Sequence, residues 1–161
     1  MSEASLKKAA FAAGCFWGVE SAFREIKGVV DAQVGYMGGT LENPTYKLVC
    51  TGRTGHAETV EVLYDPSIVG YEDLLDAFWK MHDPTQLNRQ GVDIGSQYRS
   101  VIFYYDQEQR DMAMRSKENL EKSGKFSRPI VTEIVPATRF WRAEEYHQRY
   151  NERHGLRSCH L

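Results

Sequence analysis

The chain has no long apolar run, no excess of basic residues, no internal repeat and no low-complexity tract. The first absence excludes a bilayer-spanning helix, which needs about 20 consecutive apolar residues. The opening Met1-Ser2-Glu3-Ala4-Ser5-Leu6-Lys7-Lys8 likewise lacks the apolar stretch of a signal peptide. The second absence removes two partner classes. Twenty basic residues stand against 22 acidic ones, a net charge of −2, and the two signs are interspersed. Neither the electrostatic footprint of a nucleic-acid binder nor a polybasic membrane patch is present. Without repeats or linker-like shifts, the 161 residues read as one domain with an adequate core. The last few residues, about 154–161, read as a mobile tail.

Cysteine is also scarce. Three residues, at 15, 50 and 159, make an odd number at irregular spacing, which argues against a secreted disulfide framework. A cytoplasmic protein of a reducing compartment is expected. Two His–Cys proximities, Cys50 with His56 and Cys159 with His160, are too sparse for a closed metal site, and no metal is expected.

Hydrophobic periodicity places strands at Lys7–Ala13, Val29–Tyr36, His56–Tyr64, Arg99–Tyr105 and Ile130–Val135. It places helices at Cys15–Lys27, Tyr71–His82 and Gln107–Lys122. The aromatic, charged stretch Trp141–Arg153 reads as helical. The order β-α-β then β-α-β predicts an α+β fold: a ferredoxin-like, split-βαβ two-layer sandwich, helices on one face, with a C-terminal helical or irregular extension.

Cys15 lies in Ala12-Ala13-Gly14-Cys15-Phe16-Trp17-Gly18, where the first strand gives way to a helix. A thiol in a first helical turn sits among unpaired N–H groups and the positive end of the helix dipole, which favour the nucleophilic thiolate. The other reading is a buried structural cysteine. At about 100° per residue, Cys15, Val19, Ala22, Phe23 and Ile26 form the stripe expected to face the sheet. Phe16 falls at its edge. Trp17 falls on the opposite side among Glu20, Ser21 and Arg24, where an aromatic ring covers a loop or lines a site.

In Gly55-His56-Ala57-Glu58-Thr59-Val60-Glu61-Val62, strand alternation puts Glu58 on the more apolar face and Glu61 on the other. Glu58 is either wet at the strand end or desolvated, and a desolvated carboxyl has its pKa raised and can give up a proton near neutrality. The loop Gln90-Gly91-Val92-Asp93-Ile94-Gly95-Ser96-Gln97-Tyr98 carries Asp93 and Tyr98, and Asn43-Pro44-Thr45-Tyr46 carries a second phenol. By themselves these tyrosines are as well explained by half-buried packing.

Taken together, Gly14-Cys15-Phe16-Trp17-Gly18, Asn43-Pro44-Thr45-Tyr46, Gly55-His56-Ala57-Glu58 and Asp93 through Ser100 occur in the order and approximate spacing of one family. From about Lys8 to the tail the chain resembles an A-type peptide methionine sulfoxide reductase. That resemblance implies reduction of the S epimer of methionine sulfoxide, free or in proteins. It implies Cys15 as nucleophile and protonated Glu58 as donor to the departing oxygen. Tyr46 and Tyr98 would hydrogen-bond that oxygen, Asp93 would support the polar side of the site, and Phe16 and Trp17 would hold the methyl group. Cys159, near the end of the chain, is either an incidental exposed cysteine or, on this resemblance, the resolving thiol that would convert a Cys15 sulfenic acid into a disulfide for thioredoxin. Cys50 reads as a packing residue. Two other readings use the same residues: a cysteine hydrolase with a histidine base, or a module that binds methionine-containing peptides without chemistry.

Overall fold

The structure, a computed structural model, describes residues 6–155. Its elements run β1 (Lys7–Ala13), α1 (Phe16–Arg24), β2 (Val29–Met37), α2 (Tyr46–Val49), β3 (Ala57–Tyr64), α3 (Tyr71–Lys80), β4 (Arg89–Gln90), β5 (Asp93–Ile94), β6 (Ser100–Tyr104), α4 (Gln107–Lys122), β7 (Glu133–Pro136), β8 (Trp141–Arg142) and α5 (Tyr150–Arg153). Six strands form one mixed sheet in the order β7-β6-β1-β3-β2-β8. β1 is antiparallel to both β3 and β6, β2 is antiparallel to β3, and β7 lies parallel to β6 after the α4 crossover. β4 and β5 make a small separate hairpin.

Alternation along the strands divides the core. Ala9, Phe11 and Ala13 of β1, with Val60, Val62 and Ile102, face the layer of α1, α3 and α4. Phe11 stacks on Phe23 of α1 with ring centroids 5.0 Å apart and lies 5.3 Å from Phe78 of α3. The opposite side chains, Ala10, Ala12, Met37, Ala57, Val101 and Phe103, are covered by Val135, Ala137 and Phe140. An extended segment rather than a helix therefore seals the second face. No helix among the described residues is long and apolar enough to cross a membrane.

Two expectations need correction. Trp141–Arg153 is not one helix. It splits into β8, a single 3-10 turn at Glu145–His147, and α5. The cause is the exposed edge of β2. Arg142 and Trp141 pair with Gly35 and Tyr36, and the Gln148 side chain takes over further along: its amide oxygen accepts Val34 N–H (3.0 Å) while its nitrogen donates to Val34 and Ala143 carbonyls (2.9 Å each). Arg149, in the left-handed region at φ 54°, turns the chain into α5. Satisfying a sheet edge outweighs local helix propensity here. The face reading of α1 also fails in part: Phe16 is fully in the core, and Glu20 is buried as well. The C-terminal segment covers that side, where Arg149 N–H donates to Glu20 Oε1 at 2.8 Å and Arg24 pairs with Oε2 at 3.2 Å.

Candidate active site

Gly14 adopts φ 100°, a conformation that an L side chain rarely tolerates. This turn ends β1 and delivers Cys15 as the N-cap of α1, partly exposed. The first turn of α1 thus points its N–H groups and positive dipole end at the thiol's surroundings. One of those groups makes the central link of the site: Phe16 N–H donates to Glu58 Oε1 at 3.2 Å across the strand-to-helix junction.

Glu58 is 1% exposed, and its second oxygen is buried without a hydrogen-bond partner among the described residues. Burial pushes its pKa up to about 8; the Phe16 N–H works against that shift and the nearby Asp93 charge adds to it. A carboxyl with that pKa is protonated at neutral pH. Glu61, three residues on, accepts from Tyr105 hydroxyl at 2.9 Å on the opposite side of the sheet.

Tyr46 opens α2, whose N-cap Thr45 accepts from Leu48 N–H. Burial raises its phenol, with Glu58 and Cys50 as further contributors. Tyr98 closes a 3-10 turn after the β4–β5 hairpin. Its phenol is raised by burial and then by Glu58, Cys50, Asp93 and Cys15. Both tyrosines therefore remain protonated donors. Their electrostatic neighbours gather Cys15, Glu58, Tyr46, Tyr98 and Asp93 at one end of the sheet. Trp17, partly exposed, lies 6.4 Å from the Tyr46 ring. Phe16, buried under Tyr36 (5.8 Å) and Tyr46 (6.3 Å), backs this wall instead of facing solvent. Cys159 lies outside the described residues.

Cys50 is not a packing residue. The residue as a whole is exposed and hydrogen-bonds with the Tyr46 side chain, and desolvation raises its pKa against the effect of that bond. Four further residues were not singled out from sequence. Glu144 accepts Tyr46 N–H (2.9 Å) and Tyr36 hydroxyl (2.8 Å); these bonds hold its carboxyl below the usual range despite the opposing effect of burial. Tyr36 is thereby fixed beside Phe16. His147 accepts Trp17 Nε1–H at 2.9 Å, and Tyr150 stacks on the indole at 3.8 Å and 9°. Reading residues 141–153 as a plain helix hid all but Tyr36 of these. His56 does not serve the chemistry as a base. Its Nδ1 accepts Gly39 N–H (3.0 Å) and its Nε2 contacts Leu41 carbonyl (2.7 Å), which pins the loop after β2. A Cβ on Gly39 would fall 2.3 Å from His56 N, so that close approach requires glycine. Among the described residues no group of three or more His, Cys, Asp or Glu is arranged to hold a metal ion.

A family model for peptide methionine sulfoxide reductase matches residues 7–161. The chain is similar to the peptide methionine sulfoxide reductase MsrA of Methanothermobacter thermautotrophicus, 64% identical over 155 residues that cover 96% of this chain and 92% of the relative. Among solved structures it is similar to Mxr1 from Saccharomyces cerevisiae in reduced form, with 36% identity, a TM-score of 0.89, and coverage of 96% of this chain and 88% of that one. It is also similar to Mxr1 in complex with Trx2, at 28% identity, a TM-score of 0.66, and coverage of 92% and 87%. The chain belongs to the peptide methionine sulfoxide reductase family. That membership sets aside the hydrolase and the non-enzymatic binding module.

Proposed function

We propose that Cys15, Glu58, Tyr46, Tyr98 and Asp93 carry out the reduction of methionine sulfoxide that family membership assigns to this chain. The observation that carries the reading is the bond from Phe16 N–H to Glu58: it ties a buried, protonated acid to the residue next to the thiol. The Cys15 sulfur attacks the sulfoxide sulfur. The Glu58 proton goes to the sulfoxide oxygen, which Tyr46 and Tyr98 hydroxyls hold by hydrogen bonds, and Asp93 supports this polar side through water. Methionine leaves, and the oxygen ends on Cys15 as a sulfenic acid. Trp17, backed by Phe16, forms the apolar wall for the methyl group. No metal or organic cofactor is needed.

The Cys159 thiol then condenses with the sulfenic acid, releasing water and forming a Cys15–Cys159 disulfide. A thioredoxin dithiol reduces it and restores both thiols; the Trx2 complex of the yeast relative supports that partner. Cys159 follows Gly155 by four positions, a reach of about 14 Å for a fully extended chain, and Tyr150 of α5 stacks on Trp17. The balance is one sulfoxide and one dithiol to one methionine, one disulfide and one water.

The ferredoxin-like description belongs to the same reading. Four strands in the order β6-β1-β3-β2, with α1 and α3 as the crossovers, support a split-βαβ core to which β7 and β8 are added at the edges. The continuous six-stranded sheet and the family match over residues 7–161 support one domain. A cytoplasmic setting fits a chain whose cycle needs reduced cysteines.

The test is stereochemical. With thioredoxin as reductant, the enzyme should consume the S epimer of free methionine sulfoxide and leave the R epimer. Equal rates on both epimers would contradict the assigned binding mode.

A further inference from the structure

His147 lies against the wall and is absent from the set of residues just given chemical roles. Its ring centroid is 5.7 Å from Trp17, 4.3 Å from Tyr46 and 5.2 Å from Phe16, and the residue is 1% exposed. Nδ1 accepts the Trp17 indole N–H at 2.9 Å. A ring nitrogen that accepts carries no proton, so the hydrogen of the neutral imidazole is on Nε2. That Nε2 is buried and has no hydrogen-bond partner among the described residues. A buried donor left unmatched is unfavourable, so an apolar side chain would fill this place at lower cost. What the imidazole supplies is the acceptor at Nδ1.

The indole is held in two ways. Tyr150 stacks on it nearly parallel, at 3.8 Å and 9°, which fixes the plane of the ring. Stacking resists sliding and in-plane rotation only weakly. A hydrogen bond at the ring edge removes that remaining freedom. Burial keeps the imidazole neutral by lowering its pKa, against the opposing charge of Glu144.

We propose that His147 is a positioning residue, whose Nδ1 fixes the in-plane orientation of Trp17 so that the indole meets the methyl group of the sulfoxide. It acts through the indole and does not touch the reacting atoms. The inference rests on the reading of Trp17 as substrate wall.

The experiment is a double-mutant cycle read by kinetics and NMR. Wall contacts are made equally to bound substrate and transition state, so they act on KM. His147→Leu should raise KM for methionine sulfoxide about tenfold, the worth of one hydrogen bond, with kcat nearly unchanged. His147→Asn, which places an oxygen where Nδ1 was, should recover most of the affinity. In a Trp17→Phe background, which lacks the N–H, His147→Leu should add nothing. The Trp17 indole N–H resonance should be protected from exchange in the wild type and in His147→Asn, and lose protection in His147→Leu. An unchanged KM in His147→Leu, where Trp17→Ala raises KM, overturns the positioning role and leaves the wall intact. An unchanged KM in Trp17→Ala overturns the wall and the proposal with it. If His147→Leu does not fold, nitrogen NMR of the wild type decides: a proton on Nε2 supports the proposal, and a proton on Nδ1 overturns it.

Discussion

Glu58 and Glu61 are three residues apart on one strand and occupy different media. Alternation alone put Glu58 on the apolar face, and desolvation does the rest, raising it to about 8. In its proposed role as general acid it must be protonated to act, so the single-turnover rate should be steady at neutral pH and fall as pH rises through about 8. Glu58→Gln should slow that step about 10²–10⁴-fold, whereas Glu61→Gln should leave it nearly unchanged. The same proton sets a stability trend. The folded pKa lies above the unfolded value of 4.5, so the folded state holds a proton the unfolded chain has lost. That contribution is complete below the unfolded pKa and is lost as pH rises toward 8, with a slope of about 1.4 kcal/mol per pH unit. Urea unfolding at several pH values should show the slope in the wild type and its loss in Glu58→Gln. Cys50 was not legible in this way. Its exposure and its bond to Tyr46 depend on where the loop after β2 lands, which no local pattern records.

Among the elements, β1 at Lys7–Ala13 and α4 at Gln107–Lys122 lie where periodicity places them, because apolar spacing and buried face agree. Residues 141–153 do not, because their partners are distant in sequence. Gln148 serves as a surrogate strand for Val34, 114 residues away, and no helical or strand period encodes that. Gln148→Leu leaves Val34 N–H without its partner in a buried setting and should cost roughly 1–3 kcal/mol. At this chain length that corresponds to about 2–4 °C in Tm for each kcal/mol. A denaturant or thermal unfolding curve coincident with wild type would show that the edge bonds contribute nothing.

At the scale of the whole molecule, reduction and recycling are separable. The residues proposed for reduction could be picked out of the sequence because four short motifs stand in the order and spacing of one family. The outer shell of Glu144, His147 and Tyr150 could not, because its contribution is geometric. In the proposed cycle, recycling depends on Cys159. Cys159→Ser should still convert one equivalent of sulfoxide, then stall at the sulfenic acid, because thioredoxin needs a disulfide to attack. A small thiol such as dithiothreitol can resolve the acid directly and should sustain part of the turnover. Normal steady-state turnover with thioredoxin would remove Cys159 from the cycle and return attention to Cys50.

Intact-protein mass spectrometry after a single turnover, with methionine sulfoxide and no reductant, bears directly on the central claim. Wild type should release one equivalent of methionine and lose two hydrogens, with Cys15 and Cys159 recovered in one disulfide-linked peptide pair. Cys15→Ser should release none and keep its mass, because an alcohol without a general base is a poor nucleophile. Methionine released by Cys15→Ser, or a wild-type product bearing an adduct or no change, would contradict the assignment of Cys15 as the nucleophile.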